Sequence, residues 1–247
     1  MSETKVDVKA ADGTAEGFLF TPSSGTGPWP GVLYLTDIMG IRPAYHKMAQ
    51  RLADQGFVVL LPNIFHRATR LPVLDFVPQM GDERTMKRMG ELRASLPNDK
   101  MGPDGAAYAD WLLGQKDVKG GKVGVVGYCF TGSMSVRTAG AAPDKIAAAV
   151  SFHGGGLYTD QPDSPHKLLP KITASLYIGH ATNDRSMPAE AIARFEAALK
   201  AWGGKGESET YDALHGWCVP GRPEIYKESE AKRAFAKMVG VLKAALG

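Results

Sequence analysis

Short apolar runs alternate with helix-like segments along most of the chain. The runs are rich in valine, isoleucine and tyrosine, and this alternation is typical of a mostly parallel sheet covered by helices. We predict strands at residues 5–9, 15–21, 31–36, 57–61, 122–128, 147–152, 174–179 and 207–211. The pattern therefore predicts an α/β fold with a central sheet of about eight strands and helices on both faces.

Two amphipathic helices are predicted in the C-terminal quarter of the chain. Ile192, Phe195 and Leu199 recur at spacings of three and four after Pro188, and a Gly-Gly pair then ends the pattern. The last helix carries one apolar stripe formed by Phe235, Met238, Val239, Leu242 and Leu246. Its lysines and arginines fall largely off that stripe, so we expect them to face solvent.

Composition narrows the class of protein. The 247 residues contain 44% hydrophobic and 22% charged side chains, and the formal net charge is +3, as in ordinary globular proteins. We expect one domain over residues 1–247, with no nucleic-acid partner because the positive charge is small and dispersed. Residues 63–101 have poor periodicity and mix methionines with arginines, which suggests either a lid or substrate-recognition insertion or a surface excursion with a helix or two.

The cellular compartment is predicted from the absence of a signal peptide and of a membrane-spanning run, and from the small number of cysteines. The N-terminal stretch MSETKVDVKAADG has no apolar core of the signal-peptide type, and no run approaches the length that spans a bilayer. Cys129 and Cys218 are the two cysteines of the chain, too few for a disulfide scaffold. We therefore expect a cytoplasmic protein with no membrane partner, and each cysteine needs its own explanation.

Cys129 lies where a buried strand runs into a helix rich in small residues, in the stretch GKVGVVGYCFTG. A nucleophile at such a corner is held exposed, Gly127 relieves crowding, and the start of the helix favours a thiolate. The alternatives are a small buried hydrophobic cysteine and a dinucleotide site. The glycines 121, 124 and 127 fit the dinucleotide motif poorly, since their spacing is GxxGxxG and they lie within the strand.

A nucleophile at this corner requires an acid after a later strand and a histidine after the last one. Asp184 and His215 occupy those positions. Other acids in neighbouring loops, Asp160, Asp163 and Asp212, fit that topology less well. No pair of histidines has a metal-binding spacing, so we expect no metal and no cofactor.

Backbone amides are expected to stabilise a developing oxyanion. HGGG at 153–156 imitates the oxyanion loop of lipases but follows the nucleophile strand instead of preceding it. We interpret it as a loop near the mouth of the site. The N–H groups of Ile38, in TDIMG after an earlier strand, and of Phe130, next to the cysteine, are the predicted oxyanion hole.

These motifs resemble the dienelactone hydrolase family over essentially the whole chain, through GYCFTG, HGW, TDIMGIRP and RLADQGFVVLLPNIF. The resemblance implies an α/β-hydrolase fold and hydrolysis of small lactones or esters. By position, Cys129 corresponds to the nucleophile, His215 to the base and Asp184 to the acid that orients it. Asp37 corresponds to the acid, usually glutamate, that gates or deprotonates the cysteine.

Thr131 and Val219 depart from the family pattern. Thr131 replaces the usual glycine two positions after the nucleophile and predicts looser or shifted packing there. Val219 stands where dienelactone-cleaving members have the basic residue that binds the substrate carboxylate, so the dienelactone itself is not assumed as substrate. The substrate pocket is expected to include Tyr128, Trp217, Arg84 and Arg88.

The leading hypothesis is a hydrolase, monomeric or homodimeric, that cleaves a small activated ester or lactone through a thioester acyl-enzyme. Two alternatives stay open at this point. One is a thiol-dependent acyltransferase or peptidase that uses the same site. The other is a non-catalytic homologue that only binds a small molecule.

Overall fold

One eight-stranded sheet organises the chain in the computed structural model, which describes residues 2–247. The strands are β1 (Ser2–Lys9), β2 (Thr14–Thr21), β3 (Trp29–Tyr34), β4 (Val58–Pro62), β5 (Val118–Tyr128), β6 (Ile146–Phe152), β7 (Ser175–Ala181) and β8 (Gly206–Tyr211). Every predicted strand is confirmed. The largest boundary difference is at β5, which begins at Val118 because an exposed stretch extends the buried run towards the N-terminus.

The strand order in the sheet is β1-β2-β4-β3-β5-β6-β7-β8. The pairings β1/β2 and β2/β4 are antiparallel, and all pairings from β4 through β3 to β8 are parallel. The predicted mostly parallel sheet is therefore confirmed. Strands β5, β7 and β8 end at the same edge, so the residues that follow them are brought together.

The helices are α1 (Pro43–Ala53), α2 (Glu83–Ser95), α3 (Asn98–Leu113), α4 (Phe130–Ala141), α5 (Ala189–Trp202) and α6 (Glu228–Leu246). Both helices predicted near the C-terminus are confirmed. Gly203 ends α5 in the left-handed conformation with φ 70°, which only glycine adopts without strain. On α6, Met238 and Leu242 are fully buried.

Each face of the sheet has its own apolar core. Buried side chains of α1 and α6 pack on one face with Val126 and Tyr128 of β5. Helices α3, α4 and α5 cover the other face, where Val123 and Val125 of β5 point. Strand β5 is thus buried on both sides, as its continuous apolar run predicts.

The segment 63–101 is partly helical. It contains α2 and the first turn of α3, and its arginine-rich helix α2 buries Leu92 against the core. Among residues 2–247, no helix combines the length and the apolar character needed to cross a bilayer.

Candidate active site

Cys129 occupies the sharp turn between β5 and α4. Its backbone has φ 55° and ψ −116°, a left-handed conformation that is strained for a residue with a side chain. Its N–H donates to the carbonyl of Phe152 at 3.0 Å, and its carbonyl accepts from Gly132 at 3.0 Å. The surrounding hydrogen bonds hold the strained turn, and the thiol is left partly exposed.

The turn has no room for larger residues at its glycines. A Cβ atom at Gly127 would collide with the carbonyl oxygen of Thr131, and one at Gly132 would collide with Cα of Gly154. The close approach of β5, α4 and the loop after β6 therefore requires these glycines.

Thr131 is tightly integrated in the turn, so the expectation of looser packing is wrong. Its side chain is fully buried, and its hydroxyl oxygen accepts from the N–H of Tyr128 at 2.9 Å. The same hydroxyl lies 3.1 Å from the carbonyl of Tyr128. The hydroxyl thus satisfies a buried backbone donor at the corner, which a glycine would leave to other groups.

Asp184 and His215 form a hydrogen-bonded pair. Nδ1 of His215 lies 2.6 Å from Oδ2 of Asp184, and the other carboxylate oxygen accepts from the N–H and the hydroxyl of Ser186 at 2.8 and 2.6 Å. Asp184 follows β7 and is buried, whereas His215 follows β8 and remains partly exposed. Ser186 therefore fixes the position of the Asp184 carboxylate, and the carboxylate in turn fixes the orientation of the His215 ring through Nδ1.

The charges of this pair are set by its surroundings. Burial would raise the pKa of Asp184, but the hydrogen bonds from His215 and Ser186 outweigh it and lower the pKa to about 2. Burial would likewise lower the pKa of His215. The hydrogen bond to Asp184 and the interaction with Cys129 outweigh burial and raise the pKa to about 10. The arrangement favours an imidazolium ion between a carboxylate and the sulfur.

The loop after β3 contains the predicted oxyanion donor Ile38. The N–H groups of Asp37, Met39 and Gly40 donate to the hydroxyl of Tyr45, the carboxylate of Asp37 and the carbonyl of Asp37 at 2.8, 2.9 and 3.1 Å. Within residues 2–247, no acceptor is recorded for the N–H of Ile38, nor for that of Phe130 at the start of α4. Both predicted oxyanion donors thus have no protein acceptor there; Phe130 lines the cavity that adjoins Cys129, whereas Ile38 is not part of that lining.

Asp37 is paired with Arg42. The guanidinium donates to both carboxylate oxygens at 2.7 and 2.6 Å. Burial would lower the pKa of Arg42, but Asp37 outweighs it, and Cys129 adds to the upward shift. No hydrogen bond joins Asp37 to Cys129 among the described residues, and the guanidinium of Arg42 engages both oxygens of the Asp37 carboxylate.

A cavity of about 450 Å³ opens next to Cys129 and His215, large enough for a small-molecule ligand. Arg93 of α2 and Arg137 of α4 supply its positive charge. Arg137 is buried, its Nε has no hydrogen-bond partner among the described residues, and its ion pair with Asp163 is long at 3.7 Å. Arg93 lies over the ring of Phe130 at 5.0 Å.

Two aromatic residues predicted for the substrate pocket lie elsewhere. Tyr128 is buried on the α1/α6 face of the sheet, where its hydroxyl is 2.6 Å from that of Tyr34. Trp217 is fully buried against Tyr211, with ring centroids 4.9 Å apart. Strand alternation explains the error for Tyr128, because it shares a face with Val126 and points away from the cavity.

The two predicted arginines of α2 also face away from Cys129. Arg84 pairs with Asp75 at 3.2 Å, and Arg88 pairs with Glu91 at 3.0 Å. Both line a separate surface depression. The segment does supply one arginine, Arg93, which lies further along the same helix. Arg93 directly follows Leu92, which α2 buries, and this adjacency was the available signal in the sequence. Arg137 lies in a run of small residues and had no such signal.

The HGGG loop reaches the site, as expected. Gly155 and Gly156 line the cavity. His153 is buried beneath His215, with ring centroids 4.9 Å apart. Burial, reinforced by the positive charge of His215, holds the pKa of His153 well below its usual value, so this second imidazole is neutral.

One group of potential metal ligands lies outside the cavity. Oxygen and nitrogen atoms of Asp12, His66 and Asp104 come within 4.8 Å of one another. Arg67 already donates to both oxygens of Asp104 at 2.7 and 2.8 Å and pairs with Asp12. The group is therefore an ion-pair network whose acceptors are occupied by a guanidinium.

The chain is similar to known proteins of one family. The model of the dienelactone hydrolase family matches residues 15–246. A carboxymethylenebutenolidase from Rhodococcus opacus is 27% identical over 191 residues, which cover 77% of this chain and 70% of that protein.

Solved structures share the fold at low sequence identity. A dienelactone hydrolase from Anabaena variabilis is 19% identical with a TM-score of 0.71, and the match covers 100% of this chain and 99% of the other. A dienelactone hydrolase-like promiscuous phosphotriesterase from metagenomic libraries is 22% identical with a TM-score of 0.78 and the same coverage. These likenesses establish the α/β-hydrolase architecture.

Proposed function

Because the chain belongs to the dienelactone hydrolase family, we propose that it hydrolyses a small activated ester or lactone, with Cys129 as nucleophile, His215 as proton carrier and Asp184 as its orienting acid. The observation that carries the proposal is the position of Cys129 on a strained turn, in one cavity with a His215 that is hydrogen-bonded to Asp184. This combination is the arrangement that nucleophilic catalysis requires.

The nucleophile is prepared before substrate binds. His215 holds the proton of the Cys129 thiol, because Asp184 stabilises the imidazolium and the raised pKa of about 10 keeps it protonated at neutral pH. The start of α4 contributes the positive end of its dipole to the sulfur. The resting site is thus a thiolate and imidazolium pair.

The first chemical step forms a carbon–sulfur bond. The Cys129 thiolate attacks the carbonyl carbon, the carbonyl oxygen becomes an oxyanion, and the N–H groups of Ile38 and Phe130 donate to it. When the intermediate collapses, the carbon–oxygen bond to the leaving group breaks and His215 gives that oxygen its proton. An acyl-thioester on Cys129 results.

The second step returns the enzyme to its resting state. Neutral His215 takes a proton from water as the water attacks the thioester, the carbon–sulfur bond breaks, and the acid is released. The proton on His215 and the thiolate on Cys129 then re-form the ion pair.

Thiolate chemistry restricts the substrate. A free thiol has a pKa of about 8.5, so a thiolate leaves more readily than an alkoxide does. The intermediate therefore returns to substrate unless the substrate's own leaving group is comparably good, such as an enolate or a phenolate. Enol lactones and aryl esters satisfy this condition, whereas ordinary amides do not.

The acyl side of the substrate faces positive charge. Arg137 has an unpartnered Nε and a long, weak ion pair within the cavity. A guanidinium binds carboxylate well, so an ester with an anionic substituent is the preferred substrate. Arg137 would take the place of the basic residue that Val219 replaces.

The test measures hydrolysis of p-nitrophenyl acetate by full-length variants. Cys129→Ala and His215→Ala should each lower turnover by a factor on the order of 10³ or more. The second cysteine provides a matched control, and Cys218→Ala should retain turnover within about threefold. Mass spectrometry of a His215→Ala sample quenched after brief exposure to ester should find an acyl group on Cys129.

Normal turnover by Cys129→Ala would end the proposal. Acyl transfer to an added alcohol in preference to water would support a transferase, and cleavage of a peptide amide would support a peptidase. Reversible ligand binding that is unchanged in Cys129→Ala, with no turnover of any ester, would support a non-catalytic binding protein.

A further inference from the structure

A second cavity lies between α1 and α6, on the face of the sheet to which Tyr128 points. Its volume is about 140 Å³, and its lining shares no residue with that of the Cys129 cavity. Side chains from the sheet, from both helices and from the loop after β8 form its walls. The proposed hydrolysis uses none of them.

The size of the cavity matches one aromatic ring. An engineered protein cavity of about 150 Å³ is known to accommodate benzene, so this space has room for a single ring. Tyr34, Tyr128, Phe152 and Phe235 contribute aromatic faces and edges to its wall. Such walls favour an aromatic guest over an aliphatic one of equal volume.

The inner end of the cavity is uncharged. The hydroxyls of Tyr34 and Tyr128 lie 2.6 Å apart and satisfy each other, and burial raises the pKa of both. Burial also raises the pKa of the Cys218 thiol. A charged group on a ligand would be costly at this end, because burying an unpaired charge is strongly unfavourable.

The mouth of the cavity is cationic. Lys47 and Arg51 lie one helical turn apart on α1 and line it, and neither has a carboxylate partner among the described residues. The nearby acids of α6 are already engaged, since Glu228 pairs with Lys232 at 2.7 Å and Glu230 pairs with Arg233 at 2.9 Å. The guanidinium of Arg51 lies over Phe235 at 3.7 Å, which aligns it with the aromatic wall.

We propose that this cavity is a second ligand site, which binds a single aromatic ring bearing a carboxylate. The ring lies among Tyr34, Tyr128 and Phe152, and the carboxylate lies at the mouth between Lys47 and Arg51. The inference does not depend on the chemistry at Cys129.

Calorimetric titration of the full-length protein with benzoate tests the site. Benzoate should bind with a Kd of about 0.1–1 mM, the range that ordinary ligand efficiency gives for a molecule of this size. Benzamide has the ring without the charge and acetate has the charge without the ring. Each should bind at least about tenfold more weakly, because the cavity recognises both parts.

Three variants locate the binding. Lys47→Gln combined with Arg51→Gln changes only exposed positions and should raise the Kd about tenfold or more. Ala234→Leu fills part of the cavity and should abolish binding. Arg137→Met removes a cation from the other cavity and should leave the Kd for benzoate within about twofold.

Cys218 provides a local readout. In a Cys129→Ala background it is the remaining thiol, and saturating benzoate should slow its reaction with N-ethylmaleimide at least about threefold. An unchanged Kd in the Lys47 and Arg51 double variant would overturn the proposal. Loss of binding in Arg137→Met, or no binding at 10-fold the expected Kd, would overturn it as well.

Discussion

The imidazole rings of His153 and His215 have their centroids 4.9 Å apart. Among the described residues, both nitrogens of His153 lack a hydrogen-bond partner, whereas His215 is bonded to Asp184. One imidazole is therefore a neutral packing surface and the other carries the proton. The proposed chemistry therefore uses His215 and leaves His153 a packing role.

His153 should be replaceable by an apolar ring. His153→Phe keeps the aromatic contact with His215 and removes two buried nitrogens that cost free energy when unpaired. We expect turnover within about fivefold of the parent and a free energy of unfolding equal to it or up to about 1 kcal/mol higher. Urea unfolding and ester hydrolysis measure both. A loss of turnover as large as that of His215→Ala would show that His153 takes part in the chemistry.

At neutral pH, Cys129 should react with iodoacetamide at least about tenfold faster in the parent than in His215→Gln. The pKa of His215 in the folded protein is raised from 6.5 to about 10, so the imidazolium persists below that value and is lost as pH rises through it. The excess of the parent rate over that of His215→Gln should therefore be lost as pH rises through about 10. Cys218 should react far more slowly, because burial raises its pKa.

Equal rates for the parent and His215→Gln at neutral pH would contradict the ion pair. Alkylated peptides separated by mass spectrometry give the two cysteines individually, so Cys218 serves as an internal control in every sample.

The hydroxyl of Thr131 should stabilise the nucleophile turn. Thr131→Val preserves the shape of the side chain but leaves the buried N–H of Tyr128 without an acceptor, and we expect a loss of about 1–3 kcal/mol in the free energy of unfolding. Thr131→Ser keeps the hydroxyl and should lose less than about 1 kcal/mol. Equal unfolding midpoints for the two variants in urea would refute this role.

Arg137 should discriminate between anionic and neutral esters. Arg137→Met removes the buried guanidinium, and we expect KM for an aryl ester with a carboxylate on its acyl group to rise about tenfold or more. KM for the matching uncharged ester should change by less than about threefold. Steady-state kinetics with the two substrates provide the measurement.

Arg88→Met is the matched control, because Arg88 lines a different depression and should leave both KM values unchanged. If Arg137→Met affects the two esters equally, the residue has only a structural role through Asp163.

The sequence predicts backbone topology better than side-chain direction in this protein. Eight apolar runs and the order of Cys129, Asp184 and His215 were sufficient to place these residues at one edge of the sheet, because parallel strands end there together. The position of Tyr128 was predicted wrongly although it adjoins Cys129, because Tyr128 shares its face of β5 with Val126 and points away from the cavity of Cys129. Tyr128 and Cys129 are adjacent in sequence but line two different cavities.

The arginines that line the Cys129 cavity were harder to predict for another reason. Arg84 and Arg88 are prominent in the sequence but satisfy local ion pairs on the surface of α2. Arg137 is surrounded by small residues, and its approach to the cavity depends on how α4 packs against the loop that contains Asp163. A contact between segments that are distant in sequence produces no hydrophobic periodicity, so the sequence pattern does not predict it.

The glycines that allow β5, α4 and the loop after β6 to touch also limit how this protein can change over evolutionary time. A side chain at position 127 or 132 has no space, so these positions are closed to variation whatever the substrate. Phe130, Arg137 and Gln161 line the cavity without that constraint. New specificities should therefore arise from the cavity wall, while Gly127 and Gly132 of the turn at Cys129 are retained.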